Sequence, residues 1–268
     1  MKNKGLIISL IILLVVVVIF LILVLVASLT GRLSFANGTM NLGTKNASII
    51  FDQKYEMQEI NDLEILAKSG DIKIERTQEE NIRVAVYGEN SEDLEVSLNQ
   101  NKLKIDYTKY KNDNKFLFLK FGNYKNYITI YIPSYYSNSI KIVNNYGNCE
   151  IEDLENATID IDCDCGNVEL GKVKNAKIKC DYGNVEIEHV LNKCDIKSDC
   201  GNVEIEKLEI KENSSIRSDL GNIEIGEIND IYVEADVDLG KTNISKNNRN
   251  SEITLTIKCD CGNVNIGE

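Results

Sequence analysis

Between residue 147 and the C-terminus the chain writes one five-residue pattern seven times: Gly, a polar residue, an apolar one, a variable one, then Ile or Leu. The copies begin at Gly147, Gly166, Gly183, Gly201, Gly221, Gly240 and Gly262, at intervals of 17 to 22 residues, with Thr242 in place of the apolar residue in one copy. Two-residue alternation inside a period near 20 predicts short strands stacked as the coils of a β-solenoid. Each copy must then turn every second side chain inward, and successive copies must align.

Counting from each glycine, the positions five, three and one before it and two, four and seven after it are mostly apolar or small. The fourth position after it reads Ile151, Leu170, Ile187, Ile205, Ile225, Ile244 and Ile266, whereas the seventh is apolar until it fails at Asn247. Three inward patches per coil imply a small triangular cross-section, and seven coils about 4.8 Å apart make a rod of roughly 34 Å. Glycine permits the backbone a corner needs. The residue after it is Asn148, Asn167, Asn184, Asn202, Asn222, Lys241 or Asn263, and stacked Asn side chains can hydrogen-bond along a ladder. The expected fold is all-β: a β-solenoid over 140–268, about 19 residues per coil, preceded by a smaller strand-rich part over 49–139. In that part Gly70-Asp71-Ile72-Lys73-Ile74 reads as an isolated early copy of the repeat, and Lys109 to Lys115 as a polar hairpin tip.

Leu6 to Leu29 is uncharged and interrupted only by Ser9 and Ser28. As a helix it would span roughly 36 Å, more than the ~30 Å hydrocarbon core of a bilayer. The apolar region of a signal peptide runs to only about 7–15 residues. Cleavage near Val26-Ala27-Ser28 is therefore the lesser reading, and no Cys follows to carry a lipid. The expected organisation is a tail over 1–5, a transmembrane anchor over 6–29 and a flexible stalk over 30–48 with Gly31, Gly38 and Gly43. Lys2 and Lys4 precede the apolar run and Arg32 alone closely follows it. This predicts a cytoplasmic N-terminus, a single pass through the cell membrane and an extracellular C-terminal domain. With 42 acidic against 30 basic residues the net charge is −12, which argues against nucleic acid as a partner.

The residues that could carry chemistry fall in columns. Asp164, Asp181, Asp199, Asp219, Asp238 and Asp260 lie two before the glycine; Glu150, Glu169, Glu186, Glu204 and Glu224 lie three after it, followed by Asn243 and Asn265. Such stripes could hold divalent cations or a cationic peptide, but they also make an ordinary solvated face. Lys179, Lys197, Arg217 and Lys258, four before the glycine, should pair with the aspartates. Eight cysteines, including Cys163-Asp164-Cys165 and Cys259-Asp260-Cys261, read first as buried small packers. A disulfide between Cys163 and Cys180 is the alternative, and the spacing does not suit zinc. His189 is the only histidine and reads as an exposed polar residue. No nucleophile elbow, phosphate loop or HExxH occurs, so no catalytic, cofactor or metal residues are expected. The chain stops right after the inward Val264 and Ile266, with no residues left to build a cap. Lys258, Val264, Asn265 and Ile266 are therefore expected to form an open edge that pairs with a second copy or another protein.

The Ser69-Gly70-Asp71-Ile72-Lys73-Ile74 copy, the Tyr131-Ile132-Pro133 that closes the first part, and the Gly-Asn-Val-Glu-Ile repeats resemble the bacterial membrane-anchored family labelled "putative adhesin", from about Ile60 to Glu268. The resemblance implies a β-solenoid ectodomain linked to cell-envelope stress and brings no catalytic residues; the cysteines depart from the family pattern. The function expected is non-enzymatic binding of a protein or cell-wall ligand, as an adhesin-like or envelope-sensing module. A self-assembling membrane-tethered scaffold is the alternative, and a polysaccharide-acting β-helix enzyme comes third.

Overall fold

The structure, a computed structural model, describes residues 33–36, 39–45, 47–88, 91–109, 115–116, 119–124 and 126–267. The segments read as a cytoplasmic tail (1–5) and a transmembrane anchor (6–29) lie outside the described residues. Among the described residues no helix is long and apolar enough to cross a membrane. The chain divides into two compact units, residues 1–47 with 111–125, and residues 48–110 with 126–268.

In the first unit Leu33–Ala36 pairs antiparallel with Thr39–Lys45, which pairs in parallel with Leu119–Tyr124; Lys115–Phe116 returns antiparallel to that strand. The stretch expected to be a plain stalk therefore carries strands. Their main partner is far away in sequence, beside the expected hairpin tip, and nothing local announces it.

The second unit is all-β, a curled mixed sheet compatible with a β-solenoid. Its parallel part stacks coil on coil. Ile161, Ile178, Ile196, Ile216 and Ile257 stand in register before the corner. Ile151, Leu170, Ile187, Ile205, Ile225 and Ile266 stand in register after it. All of these are buried, each contributing about 1.5–3 kcal/mol of apolar burial. The corner requires glycine for two reasons. Gly183 has φ +146°, and a Cβ there would sit 2.0 Å from the carbonyl oxygen of Gly166 in the coil below. Beside it the asparagines form the expected ladder, each backbone N–H donating to the Oδ1 of the Asn below, as from Asn184 to Asn167 and Asn202 to Asn184, both at 3.0 Å.

The order of the stack departs from the order of the chain at both ends. Gly70 is not isolated: Asp71–Thr77 pairs directly with Cys149–Ile151, and Asp62–Ala67 with Ser139–Tyr146. The Gly70 coil thus lies next to the Gly147 coil, and the boundary expected near residue 140 does not divide the sheet. Beyond it, Lys102–Tyr107 and Tyr127–Pro133 add one more parallel layer. Antiparallel Glu95–Asn99, Asn81–Gly88 and Ser48–Glu56 then close that end.

At the other end the C-terminal coil lies inside the stack. Thr254–Cys261 pairs with Ser214–Leu220 on one side and Tyr232–Leu239 on the other; Val264–Ile266 lies between Ile223–Ile228 and Thr242–Ile244. The corners therefore run Gly70, Gly147, Gly166, Gly183, Gly201, Gly221, Gly262, Gly240. The expected open edge is corrected accordingly. Val264 and Ile266 are buried, and Lys258 and Asn265 stand between neighbours on both sides. The reason lies in what each coil can bury. The Gly262 coil offers Leu255, Ile257, Cys259, Val264 and Ile266, all buried. The Gly240 coil has an exposed Leu239 and puts Asn247 where its predecessors have an apolar residue, which suits it to the outside.

Candidate functional site: an acidic groove

The outward positions of the strands that follow the corner glycines build one face of the sheet. In stack order its third position runs Lys73, Glu150, Glu169, Glu186, Glu204, Glu224, Asn265, Asn243, each in register with the next. Two residues on, Glu152, Glu188 and Glu206 form a second acidic row, interrupted by Gly171 and Gly226. The two rows line a groove of about 470 Å³, with Arg76 and Asp153 at one end. Gly171 lines it and packs tightly against its neighbour in the stack, since a Cβ there would lie 2.4 Å from Asp153 Oδ1. That carboxylate is held by the backbone N–H of Lys172 at 2.9 Å and by Arg76 at 3.3 Å.

The charges are compensated only at the margins. Lys73 Nζ lies 3.0 Å from Glu150, a contact that raises the lysine's pKa. Lys172 pairs with Glu188 at 3.2 Å. Glu169, Glu186, Glu204, Glu206 and Glu224 have no ion-pair or hydrogen-bond partner among the described residues. Adjacent carboxylates about 5 Å apart repel by about 1 kcal/mol even at the dielectric of water. The groove therefore holds a field that a bound cation would relieve.

The aspartate face behaves oppositely, and as its residues predict. Lys179 pairs with Asp181 at 2.9 Å, Lys197 with Asp199 at 2.7 Å, Arg217 with Asp219 at 2.8 Å, and Lys258 with Asp260 at 3.6 Å. Arg217 holds the Asp219 carboxyl below its usual range. His189 is not freely exposed; its Nε2 lies 3.1 Å from Glu209.

The family model described as Toastrack DUF4097 matches residues 60–267. The chain belongs to the Toastrack DUF4097 family. No curated protein sequence matches it. Among solved structures, it is similar to a "putative cell adhesion protein" from Clostridium sporogenes, at 14% identity over 82% of this chain and 99% of that one, TM-score 0.35. It is similar to a "putative lipid binding protein" from Parabacteroides distasonis at 14% identity, over 82% and 99% of the two chains, TM-score 0.40. A "putative adhesin" from Parabacteroides merdae stands at 11% identity, over 84% and 96%, TM-score 0.34.

The cysteines of this Toastrack chain divide by position. Cys149, Cys163, Cys180, Cys194 and Cys259 are buried, and all eight are free thiols. Three positions before the glycine, Asn144, Cys163, Cys180, Ser198, Ser218 and Cys259 each point a donor at a corner carbonyl. Cys180 Sγ lies 3.5 Å from the oxygens of Gly166 and Gly183, and Ser218 Oγ donates to Gly221 at 3.4 Å. The thiols thus do the work of hydroxyls as well as filling space. Contact with Cys149, together with burial, pushes the Cys163 thiol up to about 12, far from the reactive thiolate. Among the described residues no group of three or more His, Cys, Asp or Glu is arranged to hold a metal.

The residue just before each glycine, expected to face in, does not. Cys165 and Cys200 are half-buried and Cys261 is exposed, because the strand bends outward there into the corner. The acidic groove was in turn missed as a groove. Its signal was readable in Glu150-Ile-Glu152, Glu186-Ile-Glu188 and Glu204-Ile-Glu206, where both carboxylates of each pair fall on the outer face; its concavity was not.

Proposed function

We propose that this Toastrack protein is a single-pass membrane protein with an extracellular β-solenoid that acts by binding rather than catalysis, its acidic groove receiving a cationic ligand such as a Lys- or Arg-rich segment. The observation that carries this reading is the contrast between the two charged faces. Asp181, Asp199, Asp219 and Asp260 are each matched by a Lys or Arg, whereas four glutamates of the groove, Glu169, Glu186, Glu204 and Glu206, are left without a partner among the described residues. Partner-free charges in line cost stability, and a cationic ligand would recover it. The uncharged Leu6 to Leu29 supports the anchor, and Lys2 and Lys4 support the orientation.

Two measurements test it. Protease shaving of intact cells should release the C-terminal domain; full protection would reverse the topology. Oligolysine should bind the purified full-length chain with an affinity that falls steeply with salt, and at least tenfold more weakly to a Glu169→Gln, Glu186→Gln, Glu204→Gln variant. Equal affinity for both forms would remove the groove from consideration.

A further inference from the structure

Six large apolar side chains stand exposed among the described residues, and four of them share one column: Tyr146 (40%), Tyr182 (62%), Leu220 (54%) and Leu239 (70%). The column is continuous. Tyr146 stands beside Cys165, Cys165 beside Tyr182, Tyr182 beside Cys200, Cys200 beside Leu220, Leu220 beside Cys261, and Cys261 beside Leu239. A large side chain and an outward thiol alternate coil by coil along roughly 29 Å. The core does not need them, since they face away from it. Scattered exposed apolar residues are ordinary, but a contiguous ridge of them marks a contact surface.

The flanks of the ridge say what fits. On one side run the carboxylates of Asp164, Asp181, Asp199, Asp219 and Asp260. On the other runs the asparagine ladder, whose Oδ1 atoms already accept the backbone N–H of the next coil. Their Nδ2 groups have no partner among the described residues. The ridge thus carries along one border carboxylates that already pair with Lys179, Lys197, Arg217 and Lys258 but keep further acceptor sites, and along the other free amide donors. From this we infer that the ridge is a self-association surface on which a second copy of this chain docks side by side, parallel and in register.

A two-fold axis along the ridge sets one copy's carboxylates against the other's amides. An axis across the ridge would set carboxylate against carboxylate. The chain's net charge of −12 disfavours an anionic lipid surface as the occupant. Taking about 200 Å² for a fully exposed large side chain, the four expose roughly 450 Å² per copy. With thiols and borders added on both copies, this approaches the ~1,000 Å² of a specific interface. Successive thiols along one chain are two coils, roughly 9.6 Å, apart, beyond the ~7 Å a disulfide can bridge. In the parallel pair each thiol instead meets its own counterpart.

The test uses full-length chains that keep one outward thiol each, the other two of Cys165, Cys200 and Cys261 being replaced by Ser. They are expressed in bacterial cells and treated with a short bismaleimide. A cross-linked dimer is expected from each of the three chains, whereas an antiparallel pair would join at most one position to its counterpart. In the Cys200 chain, Tyr182→Lys with Leu220→Lys should cut the dimer at least tenfold while resistance to limited proteolysis stays unchanged. Leu239→Lys alone, expected to cut it at least threefold, serves if the double variant does not fold. A dimer at one position or none, or one that survives the charge variants, overturns the inference. So does shielding of the thiols from a soluble maleimide without any dimer, which would mean that lipid or a different protein covers the ridge.

Discussion

At the scale of single residues, the two-residue alternation decides nearly everything, and neighbours in sequence have opposite fates. Ile205 is fully buried in the middle of the stack, while Glu204 beside it faces the groove. Ile205→Asp would place a carboxylate among apolar side chains with no partner, a loss of about 4 kcal/mol or more, and should unfold the adjoining coils. Glu204→Lys should change stability by no more than about 0.5 kcal/mol yet weaken oligolysine binding. Denaturant melts of the two variants check the pair, and equal damage would mean that the in/out phase is wrong. The small column before the corner was legible as small. Its chemistry was not, because the acceptors of Cys180 and Ser218 are glycine carbonyls that converge only once the corners stack. The outward turn of Cys261 was hidden for a similar reason: alternation holds along a strand and fails where the backbone bends.

At the scale of the element, the decisive strand is Tyr232–Leu239, which carries the end of the stack. An end strand exposes backbone donors and acceptors that invite pairing. Asn247 answers this locally: its Nδ2 donates to Val233 O at 2.8 Å, and its Oδ1 accepts from Val233 N–H at 3.0 Å. One amide side chain therefore imitates the missing next strand, and end-to-end stacking into filaments would have to displace it. The same residue breaks the apolar column in the sequence, where it reads as a defect. Asn247→Ala should cost about 1–2 kcal/mol and speed hydrogen exchange at Val233. Unchanged exchange would show that the cap contributes nothing.

At the scale of the whole molecule, the feature to explain is the coil that is last in sequence and next to last in space. Stacked coils depend on their nearest neighbours, so the Gly240 coil rests on residues 254–266 rather than on the Gly221 coil that precedes it in the chain. Deleting 254–268 should therefore strip hydrogen-exchange protection from 232–244 as well, while the Gly147 to Gly201 coils keep theirs. Protection retained over 232–244 would mean that this coil can repack on Gly221 without the insert. The sequence by itself determined the period, the glycine corners, the asparagine ladder, the Asp–Lys pairing and the inward Ile columns. Each of these is a local rule repeated, so one copy teaches the rest. Only the tertiary structure decided which coil lies beside which, where the groove opens and which corner residues form a ridge. Every coil offers nearly the same register above and below, so order in the stack is settled by which coil can bury both of its faces. That comparison between distant segments is one no single repeat contains.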